Sequence, residues 1–166
     1  MESTRRIVAN DWRLYRDIRL AALAESPDSF GSTLAREVAY ADADWQARVL
    51  ASAETPTQAI FVAQGDDAWL GMVGVYPDPE VEPDARLWGM WVAPAARGGL
   101  FAGELIATAC EFAQSYGANG VRLNVLTTNE RAVRLYARHG FATIATEPFP
   151  DTQRPGTDYV MRRPLP

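Results

Sequence analysis

The stretch from Leu87 to Gly120 constrains the fold more than any other in this chain. It reads LWGMWV, then APAARGGLFA, then GELIATACEFAQSYGANG. The first segment is short, apolar and aromatic, as a buried strand requires. Pro94 ends it, since proline has no N–H to give a sheet ladder. Arg97, Gly98 and Gly99 make a turn, and from Leu100 apolar residues recur at Phe101, Leu105, Ala109, Phe112 and Tyr116 up to Gly117, which predicts a helix. Strand, glycine turn and helix start bring unpaired backbone N–H groups and a positive dipole end to one point, a site for phosphate. Such connections also hold glycine for tight packing alone, and both readings stand at this point.

Two phosphate loops are excluded. A Walker loop needs a lysine, and all 16 basic residues here are arginine. A dinucleotide fingerprint needs G-x-G-x-x-G after the first strand of a βαβ unit; this spacing differs and lies past mid-chain.

At 166 residues the sequence predicts a single domain, residues 1–166, with a real core. No apolar run reaches the length of a membrane span, and Met1 to Asp11 has no signal-peptide core. One Cys (Cys110) and one His exclude an internal disulfide and leave little for a metal; Cys110 reads as a small core residue. These absences favour the cytoplasm. The net charge of -5 disfavours nucleic acid and anionic membrane as partners. It tolerates a cationic small molecule, and it also serves solubility alone.

In chain order, Arg5–Ala9 reads as a strand. Asn10 or Asp11 caps a helix to about Glu25, with Leu14, Tyr15, Ile18, Ala21 and Ala22 on one face. After a turn-rich connection around Phe30, a second helix spans Asp42–Ala53 with Trp45, Val49 and Leu50 inward. Gln58–Gln64 and Ala68–Tyr76 form a hairpin about Gly65-Asp66-Asp67. Pro77–Asp84 is an acidic, proline-bearing loop. After the central strand, loop and helix, Val121–Leu126 is a strand. A helix over Glu130–His139 follows, with Asn129 as cap and Gly140 past its end. Phe141–Thr146 and Asp158–Arg162 are the last strands, joined by a loop from Glu147 to Thr157. This order predicts an α/β (α+β) fold: a mixed, mostly antiparallel central sheet flanked by helices, with one parallel pair beside the phosphate-loop helix.

Two motifs resemble those of the GNAT superfamily of acyl-CoA N-acyltransferases. Val92-Ala93-Pro94-Ala95-Ala96-Arg97-Gly98-Gly99-Leu100-Phe101-Ala102 resembles its V-x-P-x-x-(R/Q)-G-x-G-x-(G/A) pyrophosphate loop, departing at Leu100 where glycine is usual. Asn129 to Phe141 matches N-x-x-A-x-x-L-Y-x-x-x-G-F at every fixed position. Weaker echoes run from Arg19 to Ser32 and at Asp158 with Met161. The resemblance implies an acetyl-CoA-dependent N-acetyltransferase working through a ternary complex. It assigns pyrophosphate to the Arg97–Ala102 backbone (Arg97, Gly98, Gly99, Leu100, Phe101, Ala102). It gives pantetheine to Met90, Trp91, Val92 and Asn129, and protonation of the departing thiolate to Tyr136. Read without the resemblance, Asn129 is a helix cap and Tyr136 a core aromatic.

Arg131, Arg134 and Arg138 share a helix face, read as solvated with local ion pairs in preference to a contact with the cofactor's 3′-phosphoadenosine. Phe30, Glu37 and Trp88 are candidates for the substrate pocket, Trp91 being the alternative to Trp88. No acid occupies the central strand, so the general base is open among Glu37, Glu80, Glu82, Asp84 and His139, a water relay, or an amine arriving neutral. The expected acceptor is a small-molecule primary amine. The rivals are a protein N-terminal or side-chain acetyltransferase and a non-catalytic acyl-CoA sensor. Monomer and homodimer are both open.

Overall fold

The computed structural model describes residues 3–149 and 155–166. Its seven strands are β1 (Ser3–Arg6), β2 (Ala59–Gln64), β3 (Trp69–Pro77), β4 (Ala85–Val92), β5 (Gly120–Leu126), β6 (Ala142–Pro148) and β7 (Thr157–Pro164). They form a single sheet in the order β1-β2-β3-β4-β5-β7-β6. Every neighbouring pair is antiparallel except β4 and β5. The helices are α1 (Trp12–Glu25), α2 (Leu34–Val38), α3 (Asp42–Glu54), α4 (Phe101–Ser115) and α5 (Glu130–Arg138). The mixed, mostly antiparallel sheet flanked by helices is the architecture expected. The short α2 has no apolar periodicity and was not expected.

Strand alternation divides the core into two layers. Phe61, Val73, Val75, Leu123 and Val125 face α4, where Leu105, Ile106, Ala109 and Cys110 are buried. Ile60, Val62 and Met72 face α1 and α3, against Tyr15, Leu23, Trp45 and Val49. A strand buried on both faces reads as a continuous apolar run, which is what Ala59-Ile60-Phe61-Val62-Ala63 is. Three expected core positions are corrected, Leu14, Ala21 and Leu50, all of them exposed. Leu14 is 52% and Leu50 45% exposed. The buried stripe of α1 runs instead through Trp12, Tyr15, Ile18, Arg19, Ala22 and Leu23, one side over from Leu14 and Ala21.

The parallel pair positions the site. β4 and β5 are in register only at Ala85↔Val121 and Arg86↔Arg122, and beyond these pairs they part. Asp84 pins the closed end: it accepts from Arg122 Nε at 2.8 Å and from Arg162 Nε and Nη2 at 2.7 and 2.8 Å. One buried carboxylate thereby ties the start of β4 to β5 and β7. On the other edge of β4 a register shift against Met72 and Gly74 marks a bulge at Gly89, whose φ is 61°. Bulges bend a strand and re-aim its side chains, and Met90 turns into the opening.

Candidate active site

Between the diverging ends of β4 and β5 lies a cavity of about 1100 Å³. At one end is the turn before α4. Gly98 there has φ 85°, a conformation open to glycine, with no atom within 4 Å of where a Cβ would stand. Among the described residues, the backbone N–H groups from Gly98 to Gly103 make no hydrogen bond within the protein; the first turn closes only with Glu104 N–H to Leu100 O at 3.0 Å. An unpaired N–H run at a helix N-terminus is an anion cradle, and the residues present fit a diphosphate. Gly98, Gly99, Leu100 and Ala102 line the cavity. Leu100 is 79% exposed, so its side chain does not fill the cradle. Phe101 is buried in the core beneath it and does not line the cavity.

Arg97 lines the loop, yet its guanidinium is committed elsewhere. Nε donates to Val92 O at 2.8 Å, Nη1 to Glu25 Oε1 at 3.0 Å, and Nη2 to Glu25 Oε2. Trp91 Nε1 also donates to Glu25, at 3.0 Å. Hydrogen bonds from Arg97, Ser26 and Trp91 hold the Glu25 carboxyl down to about 2. What Arg97 offers the cavity is therefore chiefly backbone, and the sequence had no signal for Glu25.

Met90, Trp91 and Val92 line the wall, and β4 past Arg86 has no strand on its β5 side, leaving an edge that can pair with an extended amide chain. Asn129 lines the cavity too; its Oδ1 caps α5 by accepting from Ala132 N–H at 3.2 Å, and its Nδ2 reaches Ser29 Oγ at 3.5 Å. Tyr136 is 7% exposed, packs edge-on against Phe141 and lines the same cavity. Burial pushes its phenol up, so it keeps its proton at any working pH. Arg131 and Arg138 line the cavity, unlike Arg134, which pairs with Glu130 at 3.0 Å. All three arginines are exposed, as the solvated face expected requires, and the local ion pair is the one at Arg134.

The three substrate-pocket candidates stand elsewhere. Phe30 is core, under the Arg19 guanidinium at 4.7 Å. Trp88 packs over Gly74, where its indole occupies the space a Cβ would need. Glu37 is 1% exposed and accepts from Arg19 at 3.0 and 2.8 Å and from Arg48 at 3.2 Å. None of these lines the cavity.

Of the candidate bases, Glu37 and Asp84 are locked by arginines. Glu80 is an exposed partner of Arg86, and Glu82 is exposed. His139 does line the cavity, packed where Gly103 leaves room for its ring, and burial lowers its pKa. Asp158 also lines the cavity; as one acid in a strand it carried no signal as a base.

Among the described residues no group of His, Cys, Asp and Glu could hold a metal ion, and no helix is long and apolar enough to cross a membrane. No curated protein matches the sequence. The fold is similar to that of a GNAT-family acetyltransferase from Streptococcus pneumoniae (TM-score 0.84, 18% identity, all of both chains covered). It is similar to YncA from Salmonella typhimurium, solved with its cofactor acetyl-CoA (TM-score 0.82, 15% identity, 100% of this chain and 95% of that one). The PaiA N-acetyltransferase of Thermoplasma acidophilum, in complex with coenzyme A, is a third (TM-score 0.78, 15% identity, 99% of each chain). Residues 19–141 match the Acetyltransferase (GNAT) family, the greater part of the sequence. The chain belongs to the GNAT family of acetyltransferases.

Proposed function

We propose that this acetyltransferase moves the acetyl group of acetyl-CoA to a primary amine of a small molecule, within a ternary complex. The observation that carries the reading is the run of unpaired N–H groups from Gly98 to Gly103, opening onto a cavity that Tyr136 shares. The run suits the pyrophosphate, the free edge of β4 from Met90 to Val92 the pantetheine amides, and Arg131 or Arg138 the outer phosphate.

Bound acetyl-CoA supplies a thioester carbonyl. The residues of the chain hold it in the split between β4 and β5. Tyr136 then gives its proton to the sulfur as the C–S bond breaks. A phenol raised by burial is a weak acid toward a thiol of ordinary pKa near ~8.5. Desolvation of the sulfur beside the buried phenol raises the thiolate in the same direction, so the transfer remains feasible.

A small acceptor suits a cavity of about 1100 Å³, lined by Tyr76, Met90 and Tyr136, that must hold the cofactor's arm as well. The test is thiol release from acetyl-CoA across a panel of primary amines, peptides and antibiotics. Release with small amines alone is the expected result. Release only with peptides would replace this reading by a protein acetyltransferase, and acetyl-CoA binding without any release would replace it by a sensor.

A further inference from the structure

Five acids are buried among the described residues: Asp11, Glu37, Asp78, Asp84 and Asp158. Arginine answers the first four: Arg5 for Asp11, Arg19 and Arg48 for Glu37, Arg86 for Asp78, Arg122 and Arg162 for Asp84. Among the described residues no cation pairs with Asp158. The residue is 4% exposed and its Oδ1 is buried without a hydrogen-bond partner. A buried carboxylate left so costs stability, and such groups gather where a ligand completes them.

Its place in the sheet gives the ligand's route. Asp158 stands opposite Leu126 of β5 and opposite Glu147 of β6. By strand alternation it shares the face of Asn124, while Val125 and Met161 point into the layer that holds Tyr136. The cavity reaches Asn124 and Asp158 on the one side and Val125 and Tyr136 on the other, so it threads the split from one face of the sheet to the other. Asn124 is oriented there: its Oδ1 accepts from Arg86 Nη1 at 3.0 Å, which turns Nδ2 toward Glu147 Oε2 at 3.3 Å and toward Asp158. Arg86 spends Nη2 on Asp78 at 3.1 Å. Arg86, which also lines the cavity, is thus engaged by Asn124 and Asp78, and among the described residues what faces Asp158 is neutral Asn124 from β5 and the acid Glu147 from β6.

We propose that Asp158 receives the ammonium of the acceptor and takes its proton, so that the substrate is a cationic primary amine entering from the face of Asn124 and Glu147. This rests on the transferase reading above. The proton passes from R–NH3+ to the carboxylate, the nitrogen lone pair forms the C–N bond, and the C–S bond breaks. The nitrogen loses two protons in all. One is matched by the proton that Tyr136 gives the sulfur, and the other leaves to solvent. Burial first, and the Glu147 charge second, raise the Asp158 carboxyl above its usual range, the direction that suits a base.

Asp158→Asn is isosteric and tests this in two ways. In the first, protein saturated with coenzyme A is titrated with n-butylammonium and with 1-butanol, followed by NMR. The wild type should prefer the cation at least tenfold, and the variant should lose that preference. Equal binding of the two by the wild type overturns the proposal whatever the variant does. In the second, kcat/KM for a primary amine that the enzyme acetylates is followed from pH 6 to pH 10. The variant should fall about a hundredfold at pH 7 and recover toward pH 10, where the amine arrives neutral. A profile parallel to the wild type's at every pH means that Asp158 takes no proton, and overturns the proposal. A wild type that binds n-butylammonium through Asp158 but releases no thiol with any amine upholds this site and overturns the transferase reading.

Discussion

Glu25, at the last position of α1, holds the guanidinium of Arg97 through both carboxylate oxygens, with Nη1 3.0 Å from Oε1. A carboxylate therefore stands beside the loop that is proposed to hold a pyrophosphate, and it claims the one cation that loop carries. The pair fixes where α1 meets β4, because Trp91 Nε1 donates to the same carboxylate. With its carboxyl held down to about 2, Glu25 is charged at every working pH.

Glu25→Gln should therefore tighten acetyl-CoA binding by about three- to tenfold at low ionic strength. It removes a like charge and frees Arg97 toward the phosphates. The gain should shrink as salt rises toward 0.5 M, since the pair is partly exposed and screened. Calorimetric titration at two salt concentrations decides it: weaker binding in the variant would mean that Glu25 serves the loop by shaping it.

Two neighbouring substitutions should part in their effects. Gly98→Asp sets a carboxylate in the open space over the cradle and forces a side chain into φ 85°. It should weaken acetyl-CoA binding by at least ~1.4 kcal/mol, about tenfold. Leu100→Gly should do almost nothing. Leu100 occupies the N-cap of α4 and is 79% exposed, a position where glycine costs only a few tenths of a kcal/mol, on the order of the difference among good caps. The larger cost of glycine inside a helix does not apply at this cap position. Titration of both variants, with thermal unfolding, checks the contrast; a large gain in affinity for Leu100→Gly would mean that the leucine obstructs the site.

Tyr136→Phe keeps the ring that packs against Phe141 and removes the proton. Turnover should fall roughly a hundredfold or more. Acetyl-CoA affinity should change by less than ~1.5 kcal/mol, the net worth of one hydrogen bond. Full rate across the pH profile would reduce Tyr136 to a packing residue.

Asp84→Asn removes the carboxylate that joins β4, β5 and β7 and should destabilise by about 2–4 kcal/mol near neutral pH. Hydrogen bonds from Arg162 lead the effects that lower its pKa. A depressed folded-state pKa gives stability that is present above the unfolded value, near ~3.9, and lost as pH falls through the folded one. The gap between wild type and variant in urea unfolding should hold from pH 8 to about pH 4 and narrow below it. A gap that closes between pH 6 and pH 8 would show that the carboxylate is not what the arginines read.

The elements around this site were legible because periodicity and punctuation agreed there. Pro94 and Gly98 bracket the turn, Asn129 caps α5 as its position suggested, and Gly140 follows the helix with φ 86°. Where apolar residues lay on two adjoining stripes, as with Leu14 against Trp12 and Leu23, composition did not say which stripe faced inward. Glu37 looked available because its partners are 18 and 11 residues away, and only the packing of α1, α2 and α3 brings Arg19 and Arg48 onto it. Asp158 shows the converse. Its isolation comes from the register of β5, β6 and β7, which sequence does not reveal, and from an asparagine that holds an arginine at one remove.

Asp158 should also weaken the fold it serves, which separates a functional carboxylate from a structural one without any substrate. Its folded-state pKa is raised by burial, so its charged form is disfavoured in the native protein. A raised carboxylate contributes stability below its unfolded pKa and loses it as pH climbs through the folded value. Above that range the native state bears an uncompensated buried charge. Asp158→Asn removes the charge and keeps the shape and the contact with Asn124. It should stabilise by about 1 kcal/mol at pH 8, a rise in Tm of about 2–4 °C for a chain of this size. The difference should fade as pH falls through the raised folded-state value and vanish below the unfolded one, near ~3.9. Scanning calorimetry of both proteins at pH 8 and at about pH 3.5 reads this directly. A variant that melts lower than the wild type at pH 8 would mean that the carboxylate has a stabilising partner in the resting protein, and that Asp158 is not waiting for a cation.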